Sequence, residues 1–290
     1  NLNDEDCYLP KSTSLRVSRL GYYSEEQDEN FITFNTLEGY LETIKDYINI
    51  PNDKFKDISL DLKQQVNNGT IQMESELYNH IRPKGIISKD IRPYNQLKEN
   101  GIEYLEIRSI DLNPYSSIGI SMEDIEFLEL VSLYCALSDA PKINDVESLC
   151  IKENIRRSSE SGQNCNFISS LDGNKAEVPA DVITNSFLGE LEDFAKMIGL
   201  SKEKKKMFEE FFQRNTTTLS MKFIKDVERS GGVLPLVLEK SAHTKRNIDD
   251  KNLSLFKKER ELSEKEYLKE KNEDKILFED YLEAFSGEIK

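Results

Sequence analysis

Two residues of opposite charge stand at alternate positions in a short apolar stretch. In the segment GIEYLEIRSI, Glu106 and Arg108 flank Ile107, with Leu105 just before them. Successive side chains of an extended strand point to opposite faces, so Glu106 and Arg108 share one face about 7 Å apart. A carboxylate there can hold a divalent metal, and a guanidinium can meet a phosphate through charge-assisted hydrogen bonds. The same two residues facing water would form an ion pair worth only about 0 to 1 kcal/mol. Spacing alone leaves both readings open.

A second polar face is expected nearby. From Thr70 to Tyr78 the pattern is two-fold, with Ile71, Met73, Ser75 and Leu77 on one side and Gln72, Glu74, Glu76 and Tyr78 on the other. This predicts a strand with one buried face, whose carboxylates would either meet Glu106 across a sheet or form an ordinary wet surface. Magnesium takes oxygen ligands, so it would need two or more such carboxylates to converge. Arg82, before Pro83, is expected in a loop just past that strand, within reach of a ligand or simply on the surface. Near the start, Arg16, Arg19, Tyr22 and Tyr23 cluster around Gly21. Guanidinium and phenol together can hold a small carboxylate; the alternative is a strand end with tyrosine in the core.

Other chemistries find little support. The four cysteines show no CxxC or Cys/His ligand spacing, and His80 and His243 stand alone. A disulfide frame, a zinc site and a Ser-His-Asp mechanism are therefore not expected. Gly231 and Gly232 lack the spacing and the lysine of a phosphate loop. With 39 basic and 54 acidic residues the formal charge is −15, which argues against nucleic-acid and anionic-membrane partners. No apolar run approaches the ~18 residues needed to cross a bilayer, and no signal peptide is evident, so a cytosolic protein is expected. The chain opens at Asn1 rather than methionine, which suggests a fragment.

These residues must be positioned by an α+β framework. Residues 1–120 carry strand and turn signals and 121–290 carry helical spacing, with the break near Ser121. A helix is expected over Leu37–Tyr47, stopped by Pro51, and a strand over Ile102–Asp111, ended by Asn113 and Pro114. Ser121 and Asp124 are spaced as a capping box for a helix running to Leu137. That helix is uncharged from Leu130 to Ser138, so burial on most sides is expected. Further helices are expected over Asn144–Glu160, Val182–Ile198, Lys202–Gln213 and Ser220–Arg229, the last ended by Gly231. From about Leu253 the chain is dense in Lys and Glu, with Ser263 and Glu266 as another capping box, and reads as a solvated helical tail.

Four ordered blocks, YLPKSTSLRVSRLGY (Tyr8–Tyr22), FITFNTLEGYLETI (Phe31–Ile44), ESELYNHIRPK (Glu74–Lys84) and GIEYLEIRSIDLNPYSSIGI (Gly101–Ile120), resemble the C-terminal half of the proteobacterial type of glutamate-cysteine ligase, or γ-glutamylcysteine synthetase. Weaker echoes follow in LYCALSDAP (Leu133–Pro141), in Asn154, Arg157 and Gly162, and in TLSMKFIKDVERSGG (Thr218–Gly232). The resemblance implies a glutamine-synthetase-like fold, with an antiparallel sheet curved into a funnel, here partial, and helices outside. It also implies an enzyme that phosphorylates the γ-carboxylate of L-glutamate with ATP and lets the amine of L-cysteine attack, the first step of glutathione synthesis. Mg²⁺ or Mn²⁺ would bridge ATP and glutamate.

Position by position, Glu106 is similar to the family's metal-binding glutamate and Arg108 to the arginine that meets the transferring phosphoryl group. Arg16 resembles the residue that binds the cysteine carboxylate, and Tyr22 and Tyr78 match the tyrosines that close the cysteine pocket. Arg82 falls in the IRPK signature, with Glu74 and Glu76 as further possible site residues. Arg19 stands where the family usually has Asp, and Ser117 where it usually has Pro. The family's N-terminal half supplies most of the metal-binding glutamates, so the isolated fragment is expected to be inactive. No ATP-grasp-like extension follows Lys290, so fusion to a glutathione synthetase is not expected. Two other readings stay open: a non-catalytic relative that binds an amino acid or nucleotide, and a ligase of the same fold using a different amine.

Overall fold

The computed structural model describes residues 9–28, 32–58, 64–86, 91–171, 174–201, 203–204, 206, 208, 218–247, 250–273 and 277–286. In chain order the elements are α1 (Glu25–Asp28), α2 (Leu37–Asn49), β1 (Ile81–Lys84), α3 (Pro93–Asn100), β2 (Tyr104–Ile107), α4 (Met122–Leu137), α5 (Asp145–Ser161), β3 (Asn166–Leu171), β4 (Asn174–Pro179), α6 (Ala180–Met197), α7 (Leu219–Ser230), α8 (Val233–Arg246), α9 (Asp250–Glu273) and α10 (Phe278–Ser286). The class is α+β, with two antiparallel two-stranded sheets, β1 with β2 and β3 with β4. The chain divides into two compact units, neither continuous in sequence: residues 25–108 with 241–290, and residues 1–24 with 109–240. Among the described residues no helix is long and apolar enough to cross a membrane.

In the unit formed by 25–108 and 241–290, α2 carries the core. Tyr40, Leu41, Ile44, Tyr47 and Ile48 recur at helical spacing and bury against Ile71, Leu77, Tyr94 and Leu97. Thr36 caps the helix by accepting from the Gly39 N–H, and Pro51 follows its end, as expected. The strand expected over Thr70–Tyr78 is absent. Burial there recurs at Ile71, Glu74 and Leu77, every third residue, and Glu74–Glu76 form a 3₁₀ turn. Three-residue spacing is the period of that helix, not of a pleat. The partner of β2 is instead β1, in the register Ile81↔Ile107, Arg82↔Glu106, Pro83↔Leu105 and Lys84↔Tyr104. Pro83 has no N–H to donate, which suits a strand that pairs on one side only in this ribbon.

The Lys/Glu-rich α9 has every described side chain from residue 252 to 273 exposed, as a solvated face requires. Ser263 lies inside this helix rather than at its start. The capping-box spacing fails there because strong helix formers precede the serine and carry the helix through it.

In the other unit, α4 begins at Ser121 with the expected capping box. It is not buried on most sides: Leu130 is buried, whereas Leu133 and Leu137 are exposed. Phe127, Leu130, Val131 and Tyr134 form one stripe in a core shared with Phe187, Leu191 and Phe194 of α6 and with Phe208, so the apolar packing covers one stripe of the helix. Gly231 ends α7 in the left-handed conformation at φ 78°. The β3–β4 hairpin was not expected in a region of helical spacing. Its signal is the Asp172-Gly173 dipeptide between two β-compatible runs. The helix expected over Lys202–Gln213 lies largely outside the described residues. Among the described cysteines, Cys135, Cys150 and Cys165 are free thiols.

Candidate functional site

The expected charged face on β2 forms. Glu106 and Arg108 meet on one side of the strand, with Arg108 Nη2 2.8 Å from Glu106 Oε1. Lys84, from the paired strand, places Nζ 3.5 Å from Glu106 Oε2. The ladder continues past the strand ends, because the Arg108 N–H donates to the His80 carbonyl at 2.8 Å and the Glu103 N–H to the Lys84 carbonyl at 2.8 Å. The backbone that carries both charges is therefore held at each end. The Glu106 and Arg108 side chains are 34% and 26% exposed, so the pair is half-sheltered yet open to a ligand. The Arg108 hydrogen bond, aided by Lys84, holds the Glu106 carboxyl below the ordinary carboxylate range. Lys84 is the member that sequence reading missed, although it stands two positions from Arg82 in the same strand.

The other residues expected around this face have hydrogen-bond partners elsewhere, although Arg82 stands directly across the ladder from Glu106. Glu74 is buried, with Oε1 accepting from Arg92 Nε at 2.8 Å and from the Tyr94 N–H at 3.0 Å. Glu76 accepts from the Gln72 N–H at 2.8 Å in an exposed position. Arg82 lies in β1 rather than in a loop, is buried, and its guanidinium donates to the carbonyls of Ser75, at 3.0 Å, and Leu77. It braces the 3₁₀ turn, supplying a donor to the Leu77 carbonyl, which is buried. Tyr78 keeps an exposed ring, and its N–H donates to Gln27 Oε1 at 2.7 Å.

Among the described residues no three His, Cys, Asp or Glu converge on a point that could hold a metal ion. Glu106 also already faces two cations. These residues therefore do not by themselves fit a magnesium site.

In the other unit, the loop after Leu9 brings together the second expected cluster. Arg16 Cζ lies 5.2 Å from the centroid of the Tyr22 ring and Arg19 Cζ 5.9 Å from that of Tyr23. The Tyr22 N–H donates to the Arg16 carbonyl at 2.6 Å. Thr13 fixes the loop to the end of α5, its N–H donating to the Ser159 carbonyl at 2.9 Å and its hydroxyl to the Ser158 carbonyl at 2.7 Å. The echoes at Asn154 and Arg157 do similar work. The Asn154 amide donates to and accepts from the Ile168 backbone, and Arg157 donates to the Asn166 carbonyl and to Glu177. They tie α5 to the β3–β4 hairpin.

Comparison with known proteins places these features in a family. The family model described as glutamate-cysteine ligase matches residues 1–158, a span that includes both clusters. The chain is 30% identical over 295 residues to a glutamate-cysteine ligase from Yersinia pseudotuberculosis, covering 97% of this chain and 57% of that protein. It is 35% identical over 288 residues to one from Wigglesworthia glossinidia brevipalpis, covering 92% of this chain and 56% of that protein. The crystal structure of a Francisella tularensis glutamate-cysteine ligase in complex with AMP superposes with a TM-score of 0.81 at 25% identity, over 96% of this chain and 57% of that one. The chain thus spans a little over half the length of these relatives. With its family match and the charged β2 face together, the chain belongs to the glutamate-cysteine ligase family.

Proposed function

We propose that the chain is the part of an ATP-dependent ligase that carries the phosphoryl-facing arginine and one wall of the amino-acid pocket. The reaction joins the γ-carboxylate of L-glutamate to the amine of L-cysteine through a γ-glutamyl phosphate, the first step of glutathione synthesis, in the cytoplasm. The observation that carries this reading is the half-sheltered Glu106–Arg108 pair with Lys84 beside it. The AMP bound in the Francisella relative supports a nucleotide substrate.

Arg108 is the catalytic group in this reading. Its backbone is fixed by His80 and its guanidinium by Glu106, so it needs little reorganisation when a phosphoryl oxygen arrives. Negative charge spreads over the phosphoryl oxygens as the bond to ATP breaks, and a fixed cation stabilises that state more than the ground state. Arg16 would bind the cysteine carboxylate, with Tyr22 beside it on the same loop. A bound Mg²⁺ or Mn²⁺ would neutralise phosphate charge, with Glu106 as one oxygen donor. The further donors and the glutamate site would come from the remainder of a full-length polypeptide.

The test is Arg108→Ala in the full-length protein, with ADP release measured at saturating glutamate and cysteine. Turnover is expected to fall by at least ~10²-fold, the loss typical of removing one donor to developing charge. Near-normal ADP release overturns the role of Arg108.

A further inference from the structure

We infer that Asp111 is a positioning residue for the amino-acid pocket, acting through Arg16; the inference rests on the reading of Arg16 given above. Asp111 Oδ1 accepts from the Arg16 N–H at 3.0 Å and its Oδ2 accepts from the Ser14 hydroxyl. The Ser14 hydroxyl in turn accepts from the Val17 N–H at 3.2 Å, so one carboxylate, directly and through Ser14, holds the turn from Ser14 to Val17. The Arg16 carbonyl is engaged by the Tyr22 N–H at 2.6 Å. Both main-chain groups of Arg16 are thus tied, the donor to Asp111 and the acceptor to Tyr22. That fixes the direction in which its side chain leaves the backbone, over the Tyr22 ring.

The chain returns close to this turn at Gly21. A Cβ at Gly21 would sit 2.1 Å from the Leu15 carbonyl oxygen and 2.4 Å from that of Arg16, so the returning chain presses directly on the residues that Asp111 holds. Segment 9–24 contains no helix or strand to order it. Beyond its own turn hydrogen bonds, it is anchored by Thr13 at one end and Asp111 in the middle. Asp111 itself is exposed, and exposed groups contribute little to global stability. Its two bonds converge on the turn that presents Arg16, which assigns them to that turn's geometry rather than to the core.

The test uses the full-length protein and steady-state ADP release. Asp111→Ala is expected to raise the cysteine KM about 10-fold with kcat within about threefold, because two hydrogen bonds that orient a binding group are lost and none to the reacting atoms. The KM values for glutamate and ATP stay unchanged. Asp111→Asn keeps the Oδ1 acceptor and restores part of the loss, and Ser14→Ala, a milder change, raises the cysteine KM about threefold. In an Arg16→Ala background, Asp111→Ala has no additional effect on the cysteine KM, since it acts through that side chain. An equal increase with and without Arg16, or a uniform loss in kcat and every KM, overturns the positioning role. If Asp111→Ala fails to fold by circular dichroism, the Ser14→Ala and Asp111→Asn values decide. An unchanged cysteine KM in Arg16→Ala overturns the pocket reading itself; a raised value there with an unchanged one in Asp111→Ala overturns only the role of Asp111.

Discussion

Replacing Glu74 by leucine is expected to cost about 3 to 5 kcal/mol of folding stability, because it leaves a buried guanidinium without its carboxylate. The side chains of Arg92 and Glu74 are 2% and 7% exposed, with Nε and Oε1 2.8 Å apart. Glu74 does a second job with the same oxygen. The N-cap position of α3 is Arg92, whose side chain makes no capping bond, and the Tyr94 N–H in the first turn donates to Glu74 Oε1 instead. A remote carboxylate thus serves as the cap, worth about 1 kcal/mol of the total. Arg92→Leu strands the carboxylate and is expected to cost a similar 3 to 5 kcal/mol. Two leucines at these positions would extend an apolar region that already holds Ile71, Leu77, Tyr94 and Leu97. The double variant is therefore expected to lose less than either single one, with a coupling of at least about 2 kcal/mol. Equilibrium urea unfolding followed by far-ultraviolet circular dichroism measures all three differences. Additive losses within about 0.5 kcal/mol would refute the pairing as a stabilising unit.

The remaining predictions concern α5. Hydrogen bonds from Arg156 and then Arg157 hold the Glu153 carboxyl down at about 2, against an ordinary 4.5. Because the folded value lies below the unfolded one, the stabilisation is complete above the ordinary value and disappears as pH falls toward the folded value. Glu153→Gln is expected to flatten the acid limb of the stability profile by on the order of 1 kcal/mol, the side chains being partly exposed; thermal melts near pH 3 and pH 6 compare the two, and an unchanged acid slope contradicts it. Asn154→Ala removes both bonds to the Ile168 backbone and is expected to cost about 1 to 3 kcal/mol. Hydrogen exchange at the Ile168 amide reads this locally, and unchanged protection there would count against it.

How far the site was legible depends on the range of the forces that set each residue. The shared face of Glu106 and Arg108 follows from the pleat, a property of adjacent residues, and it is as expected. The alternation over Thr70–Tyr78 was equally regular, yet it does not form a strand. Glu74, at an expected polar position, is drawn inside by Arg92, eighteen residues further on. Arg82 is drawn inside by the carbonyls of Ser75 and Leu77. Sequence spacing does not reveal whether a charge has a buried partner, and without one burial would be prohibitive. The two capping-box signatures make the same contrast. Ser121 follows a turn and starts α4, whereas Ser263 is preceded by helix formers and starts nothing.

The order of amino acids alone determined the helical stripes, the end of α7 at Gly231, the β2 charge pair and the family blocks. Each rests on neighbours within four residues or on a motif read directly. Only the tertiary structure decided that β1 pairs with β2, that Glu74 caps α3, that α4 is covered on one stripe, and that Asp111 grips the turn bearing Arg16. Those outcomes join groups far apart in the chain, and their free energies exist only once folding has brought the partners together and removed water from between them.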